Sequence, residues 1–162
     1  WWDAKYTWNP RQSPPVEVDE IVERAVSFPA QAIVITGGEP TLYPLDYLTG
    51  ELKRRGLEIF LETSGTQPLT GTFDWVCLSP KKQQGPLPEN LLRADELKVI
   101  VEESGDFGWA ERNAAQVRRS CLLFLQPEWS RYERMIPEIV EYAKAHPRWN
   151  ISVQTHKFMH IP

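Results

Sequence analysis

Cysteine is scarce in this chain: there are only two among 162 residues, Cys77 and Cys121. Both lie in apolar runs and are far apart in the sequence, which is typical of buried free thiols rather than of a disulfide or a metal pair. Two thiols also cannot complete a four-cysteine zinc or iron–sulfur site. We therefore predict that neither cysteine binds a metal.

Long apolar runs and an excess of positive charge are missing as well. No run reaches the ~18 apolar residues of a membrane-spanning helix. The formal net charge of −4 gives no basic field that would hold a phosphate backbone. We expect a cytoplasmic protein that binds neither membranes nor nucleic acid. Its length and its hydrophobic content of 41% fit one domain with a real core.

The chain does contain a regular alternation of strand and helix patterns. Six short segments rich in branched or aromatic residues predict strands at 32–36, 58–63, 75–79, 96–101, 121–126 and 150–155. Helical spacing of apolar residues predicts helices at 16–28, 47–55, 109–118 and 131–145. This alternation predicts an α/β fold with a mostly parallel sheet, either open or closed into a partial barrel.

The most informative segment is Thr-Gly-Gly-Glu-Pro at residues 36–40, directly after the first predicted strand. Two glycines at the end of a buried strand let the backbone approach a ligand closely. The loop would offer bare carbonyl groups and the carboxylate of Glu39, which suit a ligand with an ammonium group. The alternative is a tight strand-to-helix turn with a solvated Glu39, and the residues alone leave both open.

Polar residues also occur inside and at the ends of the predicted strands. Alternation along a strand puts Glu96 and Lys98 on one face, and it puts Ser152, Gln154 and His156 together on another. Three further strands end in polar residues: Glu62, Ser79 and Gln126. Parallel sheets covered by helices are normally apolar on both faces, so these residues predict a ligand cavity at the carboxyl edge of the sheet. The alternative is that they cap helices and loops.

Taken in order, these motifs resemble the 7-carboxy-7-deazaguanine synthase family, radical S-adenosylmethionine (SAM) enzymes of the 7-deazapurine (queuosine) pathway. The resemblance covers nearly the whole chain, from Asp3 followed by Tyr-Thr-Trp at 6–8 and the loop at 36–40 to the tail at 154–162. Between them lie Glu-Thr-Ser-Gly at 62–65, Ser-Pro-Lys at 79–81, Glu-Leu-Lys-Val at 96–99 and Leu-Gln-Pro at 125–127. The tail is the most discriminating part, since other radical enzymes share the glycine loop but not this ending.

The resemblance implies a partial (β/α) barrel of the radical SAM type, a single incomplete domain over residues 1–162 without its first strand and cluster loop. It implies twelve SAM-binding residues: Gly37, Gly38, Glu39, Glu62, Ser64, Ser79, Pro80, Lys81, Gln126, Pro127, Glu128 and Trp129. It implies four substrate-binding residues: Thr36, Gln154, His156 and Pro162, the last through the terminal carboxylate of the chain. No catalytic residue is assigned.

The implied reaction is a radical ring contraction by a carbon–nitrogen lyase. A [4Fe–4S] cluster would reduce SAM, and the deoxyadenosyl radical would take a hydrogen atom from C6 of 6-carboxy-5,6,7,8-tetrahydropterin. Ammonia would leave and 7-carboxy-7-deazaguanine would form, with Mg²⁺ assisting. The family also implies a homodimer and an electron donor such as flavodoxin.

Two positions depart from the family pattern. Trp2 stands where the last cluster cysteine is expected, and Ala4 stands where a hydroxyl would bind magnesium. We expect a truncated form of a working enzyme, and we predict that the polypeptide as written does not perform the radical step. Two rivals remain: another radical SAM enzyme such as an activase, or a cluster-less relic that acts as a ligand-binding or scaffold protein.

Overall fold

A computed structural model describes residues 14–160, and its centre is one six-stranded parallel sheet. The strands are β1 (Ala32–Ile35), β2 (Glu58–Thr63), β3 (Trp75–Leu78), β4 (Glu96–Val101), β5 (Leu122–Pro127) and β6 (Trp149–Ile151). They lie side by side in sequence order, and each neighbouring pair is parallel. Sequential order of this kind is that of a β/α barrel, so the predicted α/β partial barrel is confirmed.

Helices lie in four of the five connections between strands, before β1 and after β6, while the connection from β2 to β3 at 64–74 contains none. They are α1 (Val18–Val26), α2 (Asp46–Arg54), α3 (Pro88–Arg93), α4 (Asp106–Ala114), α5 (Tyr132–Ala145) and α6 (Thr155–Phe158), with 3-10 turns at Pro40–Leu42 and Trp129–Arg131. The four predicted helices are confirmed within a few residues at each end. The sequence did not predict α3 and α6, because helices of six and four residues are too short to show an apolar period. None of the helices between residues 14 and 160 combines the length and the apolar character of a membrane span.

The two faces of the sheet differ in burial, as the alternation in β4 predicts. Leu97, Val99 and Val101 on the outer face are fully buried and belong to a cluster with Met135 and Ile139 of α5. The residues between them, such as Glu96 and Lys98, are only partly buried on the inner face. The outer face therefore forms the core, and the inner face is left to carry polar groups.

Cys77 and Cys121 are buried free thiols, which confirms that prediction. Cys77 lies on the inner face of β3 beside Glu96, and its Sγ is 3.4 Å from the Glu96 Oε1. Cys121 lies just before β5. Burial raises the pKa of both thiols, that of Cys121 to about 11.

The predicted strand at 150–155 was wrong in its second half. β6 ends at Ile151, and Ser152 makes one more bond of the ladder, from its N–H to the Leu125 carbonyl at 2.9 Å. The next bond would need an N–H from Pro127, which proline lacks. The chain then leaves the sheet and forms α6, so Ser152, Gln154 and His156 do not share a strand face.

Candidate functional site

The loop after β1 turns sharply before it enters the 3-10 turn. Gly37 has a φ of 120°, in the region that glycine adopts readily and other residues rarely do. Glu39 then caps the 3-10 turn, since its side chain accepts a hydrogen bond from the Thr41 N–H. The loop is thus held in one shape by its own residues, with Thr36 exposed at its start.

The carboxylate of Glu39 ties this loop to the end of β2. Its Oε1 accepts hydrogen bonds from the Thr41 hydroxyl at 2.7 Å and from the Thr63 hydroxyl at 2.6 Å. Its Oε2 accepts the Ser64 backbone N–H at 2.8 Å and also the Ser64 hydroxyl. A solvated Glu39 is therefore wrong: the carboxylate is bound by protein donors on both oxygens.

These contacts keep Glu39 ionised. Burial of the carboxylate would raise its pKa, but the hydrogen bonds from Ser64, Thr63 and Thr41 outweigh this effect and hold the pKa below its ordinary value of 4.5. The loop therefore carries a fixed negative charge near neutral pH, at the carboxyl edge of the sheet.

The turn after β2 is held in place by contacts with Leu78 and with Asn90 of α3. Gly65 has a φ of 73°, and a Cβ there would lie 2.8 Å from the Leu78 Cδ1. The fully buried Asn90 donates from Nδ2 to the carbonyls of Gly65 at 2.8 Å and Gln67 at 2.7 Å. These packing contacts fix the turn that presents Ser64 to Glu39.

The end of β3 lies beside the end of β2 and contacts it. The Ser79 N–H bonds the Thr63 carbonyl at 2.8 Å, and the Lys81 ammonium donates to the Ser79 hydroxyl at 3.0 Å. Burial lowers the pKa of Lys81, and the nearby positive charge of Lys98 lowers it further. Since Glu39 holds Ser64 and the Ser79 N–H bonds the Thr63 carbonyl, the loop after β1 and the ends of β2 and β3 lie together.

We call the loop after β1 and the ends of β2 and β3 the rim. The inner face of the sheet next to this rim carries more ionisable groups. The Lys98 ammonium donates to the Glu62 Oε1 at 3.0 Å. Beneath them lies an open hollow of about 340 Å³, lined by Val34, Phe60, Leu61, Glu62, Trp75, Cys77 and Glu96. The hollow is mostly apolar at its base and charged at its rim, which suits a ligand with a flat apolar part and polar substituents.

The ends of β5 and β6 join the rim in part. Gln126, Pro127 and Glu128 are buried, and the Gln126 Oε1 accepts the Ser152 hydroxyl at 3.0 Å. Trp129 is exposed and packs elsewhere, with ring centroids 5.8 Å from Tyr132 and 5.3 Å from Phe158. Gln154 precedes α6, and His156 is exposed within it.

The structure sorts nine of the sixteen predicted SAM- and substrate-binding residues. Brought together by direct contacts or by charge are Glu39, Glu62, Ser64, Ser79 and Lys81. Within residues 14–160, no hydrogen bond links Thr36, Trp129 or His156 to that group. Trp2, Ala4 and Pro162 lie outside the described residues.

Sequence reasoning missed Thr41 and Thr63, which hold the Glu39 carboxylate. Thr41 had a visible signal, since a hydroxyl two residues after a carboxylate at a turn is a local hydrogen-bond pattern. Thr63 stands in the Glu-Thr-Ser-Gly motif, but no local pattern indicates its contact with Glu39, because that contact depends on how β1 and β2 are placed side by side.

The model of the radical SAM superfamily matches residues 2–75, which include the glycine loop, Glu39 and the end of β2. This superfamily implies SAM and a [4Fe–4S] cluster. The carboxyl edge of the sheet carries an ionised carboxylate at Glu39, the hydroxyls of Ser64 and Ser79, and a second carboxylate at Glu62 beside an apolar hollow.

The cluster does not fit the residues at hand. The whole sequence holds two cysteines, both of them buried with raised pKa values. Residues 14–160 contain no group of three metal-binding side chains. The two thiols of this chain therefore do not supply the thiolate ligands that a [4Fe–4S] cluster requires.

Relatives with assigned names match the chain over nearly its whole length. The 7-carboxy-7-deazaguanine synthase of Flavobacterium psychrophilum is 48% identical over 162 residues, which is 100% of this chain and 77% of that protein. The Synechocystis enzyme of the same name is 43% identical over 99% of this chain and 77% of its own length. The crystal structure of QueE from Escherichia coli superposes with a TM-score of 0.79 at 28% identity, covering 95% of this chain and 78% of that one. The chain belongs to the 7-carboxy-7-deazaguanine synthase family of radical SAM enzymes.

Proposed function

We propose that this chain forms the SAM- and substrate-binding part of a carbon–nitrogen lyase. The enzyme would contract the ring of 6-carboxy-5,6,7,8-tetrahydropterin to 7-carboxy-7-deazaguanine with loss of ammonia. The observation that carries the proposal is the hydrogen bond that the Ser64 N–H donates to the Glu39 carboxylate, which joins the glycine loop to the Glu-Thr-Ser-Gly turn. These are two of the motifs that resemble the family, and the fold brings them together.

The methionine part of SAM would lie at the glycine loop. The backbone carbonyls of Gly37 and Gly38 would accept hydrogen bonds from its ammonium group, and the fixed charge of Glu39 would attract it. Because Glu39 is already bound by three side chains of the protein, its charge acts at short range without the carboxylate having to move.

The nucleoside part would lie along the rim toward β5. Glu62 and Ser64 would face the ribose, and Lys81 with Ser79 and Pro80 would border it. The segment that carries Gln126, Pro127, Glu128 and Trp129 would close the far side. The position of Gln126 at the end of β5, where Ser152 donates to its Oε1 at 3.0 Å, supports this assignment, because its amide then lies at the same edge of the sheet as Ser79.

The pterin would lie between the glycine loop and the tail. Thr36 at the end of β1 is exposed and its hydroxyl can donate to a heterocycle. Gln154 and His156 can both donate and accept hydrogen bonds, as a pterin requires. Pro162 would add the terminal carboxylate.

The chemistry that the chain's own residues provide is binding, orientation and charge. The cluster thiolates are not among its two cysteines, so we expect that reconstitution with iron and sulfide yields no SAM cleavage by this chain alone. We propose further that residues 1–162 act as one domain, that the protein pairs as a homodimer, and that Mg²⁺ and an electron donor such as flavodoxin serve the complete reaction.

Titration calorimetry tests the proposal. The full chain should bind SAM with one site per chain and should bind 6-carboxy-5,6,7,8-tetrahydropterin separately. Guanosine serves as a control ligand that has a ribose but no sulfonium. A folded chain that binds neither SAM nor the pterin would contradict the proposal.

A second candidate is a ligand-binding or scaffold protein without radical chemistry. The observation that favours it is the small number of cysteines, together with Trp2 and Ala4 at the expected metal-binding positions. Binding of SAM without binding of the pterin would favour this candidate. A relic with an unrelated role would bind neither.

A further inference from the structure

Lys98 and Glu62 form an ion pair across a strand. Glu62 on β2 is paired in register with Cys77 on β3, and Cys77 is paired with Glu96 on β4. Lys98, two residues beyond Glu96, is therefore on the same face, one step closer to the carboxyl edge. Its ammonium reaches back over β3 to the Glu62 Oε1 at 3.0 Å.

The two partners differ in burial. The Lys98 side chain is 16% exposed, whereas the Glu62 side chain is 46% exposed. Lys98 is thus mostly buried on the inner face, and the carboxylate of Glu62 is the more exposed partner of the ion pair. Within residues 14–160, the second oxygen of Glu62 makes no hydrogen bond.

Lys98 remains protonated beside Glu62. Burial would lower its pKa, but the charges of its neighbours, the carboxylates Glu62 and Glu96 among them, outweigh the loss of solvent, and the pKa of Lys98 is raised. The neighbouring Glu96 is engaged by other donors, the Trp75 Nε1 at 3.4 Å and the Cys77 thiol. Within residues 14–160, Lys98 therefore forms its ion pair with Glu62.

A carboxylate with one oxygen held and the other open is a suitable acceptor for the hydroxyls of a ribose. Hydrogen bonds to a charged acceptor are stronger than neutral ones, but the acceptor must be kept at the right angle. We propose that Lys98 is the positioning residue that holds the Glu62 carboxylate toward the ribose of the bound nucleoside. The inference rests on the proposed function, because it takes the nucleoside of SAM as the ligand of this rim.

A double-mutant cycle tests the inference with the full chain. The variants are Lys98→Met, Glu62→Gln and both together, with Lys98→Arg as the conservative variant and Lys144→Met on the exposed end of α5 as the control. The affinity for SAM is measured by calorimetry. We expect Lys98→Met to weaken binding about tenfold and Lys98→Arg to recover most of the loss.

The decisive result is the behaviour of the double variant. If Lys98 acts through Glu62, then Lys98→Met has no further effect once Glu62→Gln is present. It should also leave the affinity for 2′,3′-dideoxyadenosine, which lacks the ribose hydroxyls, unchanged. A merely structural role would weaken both nucleosides.

Two outcomes would overturn the inference. If wild-type protein binds SAM and Lys98→Met leaves that affinity unchanged, or if the two single effects add, Lys98 does not act through Glu62. If wild-type protein does not bind SAM, the proposed function fails and the inference fails with it. Should Lys98→Met not fold by circular dichroism, Lys98→Gln replaces it in the same cycle.

Discussion

The Glu39 carboxylate accepts both the backbone N–H and the hydroxyl of Ser64, with the N–H at 2.8 Å. This contact joins the loop after β1 to the turn after β2, which are separated by more than twenty residues of chain. The two segments are fixed relative to each other before any ligand arrives. Pre-organisation of this kind lowers the entropic cost of binding.

Replacing Glu39 by Gln should weaken both the fold and the site. The amide keeps one acceptor oxygen but puts an NH₂ group against hydroxyl and N–H donors, and the charge is lost. We expect a loss of about 1–3 kcal/mol in unfolding free energy and weaker SAM binding, measured by urea denaturation and calorimetry.

The matched control is Glu58→Gln at the exposed start of β2, which should leave both properties unchanged. If Glu39→Gln binds SAM as tightly as wild type, Glu39 does not meet the ammonium group.

Stability should fall in acid through Glu39. Because its pKa is depressed in the folded chain, the contribution is present above its ordinary value of 4.5 and is lost as the pH falls through the lower folded value. The difference in urea midpoint between wild type and Glu39→Gln should therefore be largest near pH 7 and shrink below pH ~4. A difference that stays constant down to pH ~3 would contradict the assigned network.

Gly65 should tolerate no side chain. Its φ of 73° is unfavourable for alanine, and the added Cβ would lie 2.8 Å from the Leu78 Cδ1 and 3.1 Å from the Pro86 Cβ. We expect Gly65→Ala to lower the unfolding free energy by about 2–4 kcal/mol and to weaken SAM binding.

Gly50 in α2 provides the matched control. It has open space around its Cα and lies within a helix, so Gly50→Ala should raise stability by about 0.5–1 kcal/mol. Equal effects of the two substitutions would contradict the close packing around Gly65.

Both thiols should be inert in the folded protein. Burial raises the pKa of Cys77 and Cys121, and the thiolate is the reactive form. Iodoacetamide at pH ~8 should therefore modify neither cysteine in native protein and both in urea, as read by mass spectrometry. Rapid modification of Cys77 in native protein would show that the inner face is open to reagents.

Much of the fold could be predicted from local pattern alone. The strands predicted at 58–63 and 96–101 match β2 and β4. They could be predicted because alternating or continuous apolar residues indicate which positions of a strand are buried. The end of β6 could not be predicted, since it depends on Pro127, which has no N–H for the next ladder bond to the Ser152 carbonyl. Only the sheet register shows that these two residues are neighbours on adjacent strands.

The site residues could also be predicted from local motifs, whereas the contacts between them could not. Glu39 and Ser64 were identified by motif, but the bond between them arises from the pairing of β1 and β2. The reach of Lys98 to Glu62 over β3 is likewise a property of register. Sequence reports which residues lie at the rim, and tertiary placement decides which of them touch.

Hydrogen exchange with and without SAM tests the central claim most directly, namely that the strand ends share one ligand. We predict slower exchange at residues 36–42, 62–66, 79–82 and 126–130, which lie at the carboxyl ends of β1, β2, β3 and β5. The outer helices α1 and α5 should exchange as before. Protection confined to the helices, or absent from three of those four segments, would contradict the account.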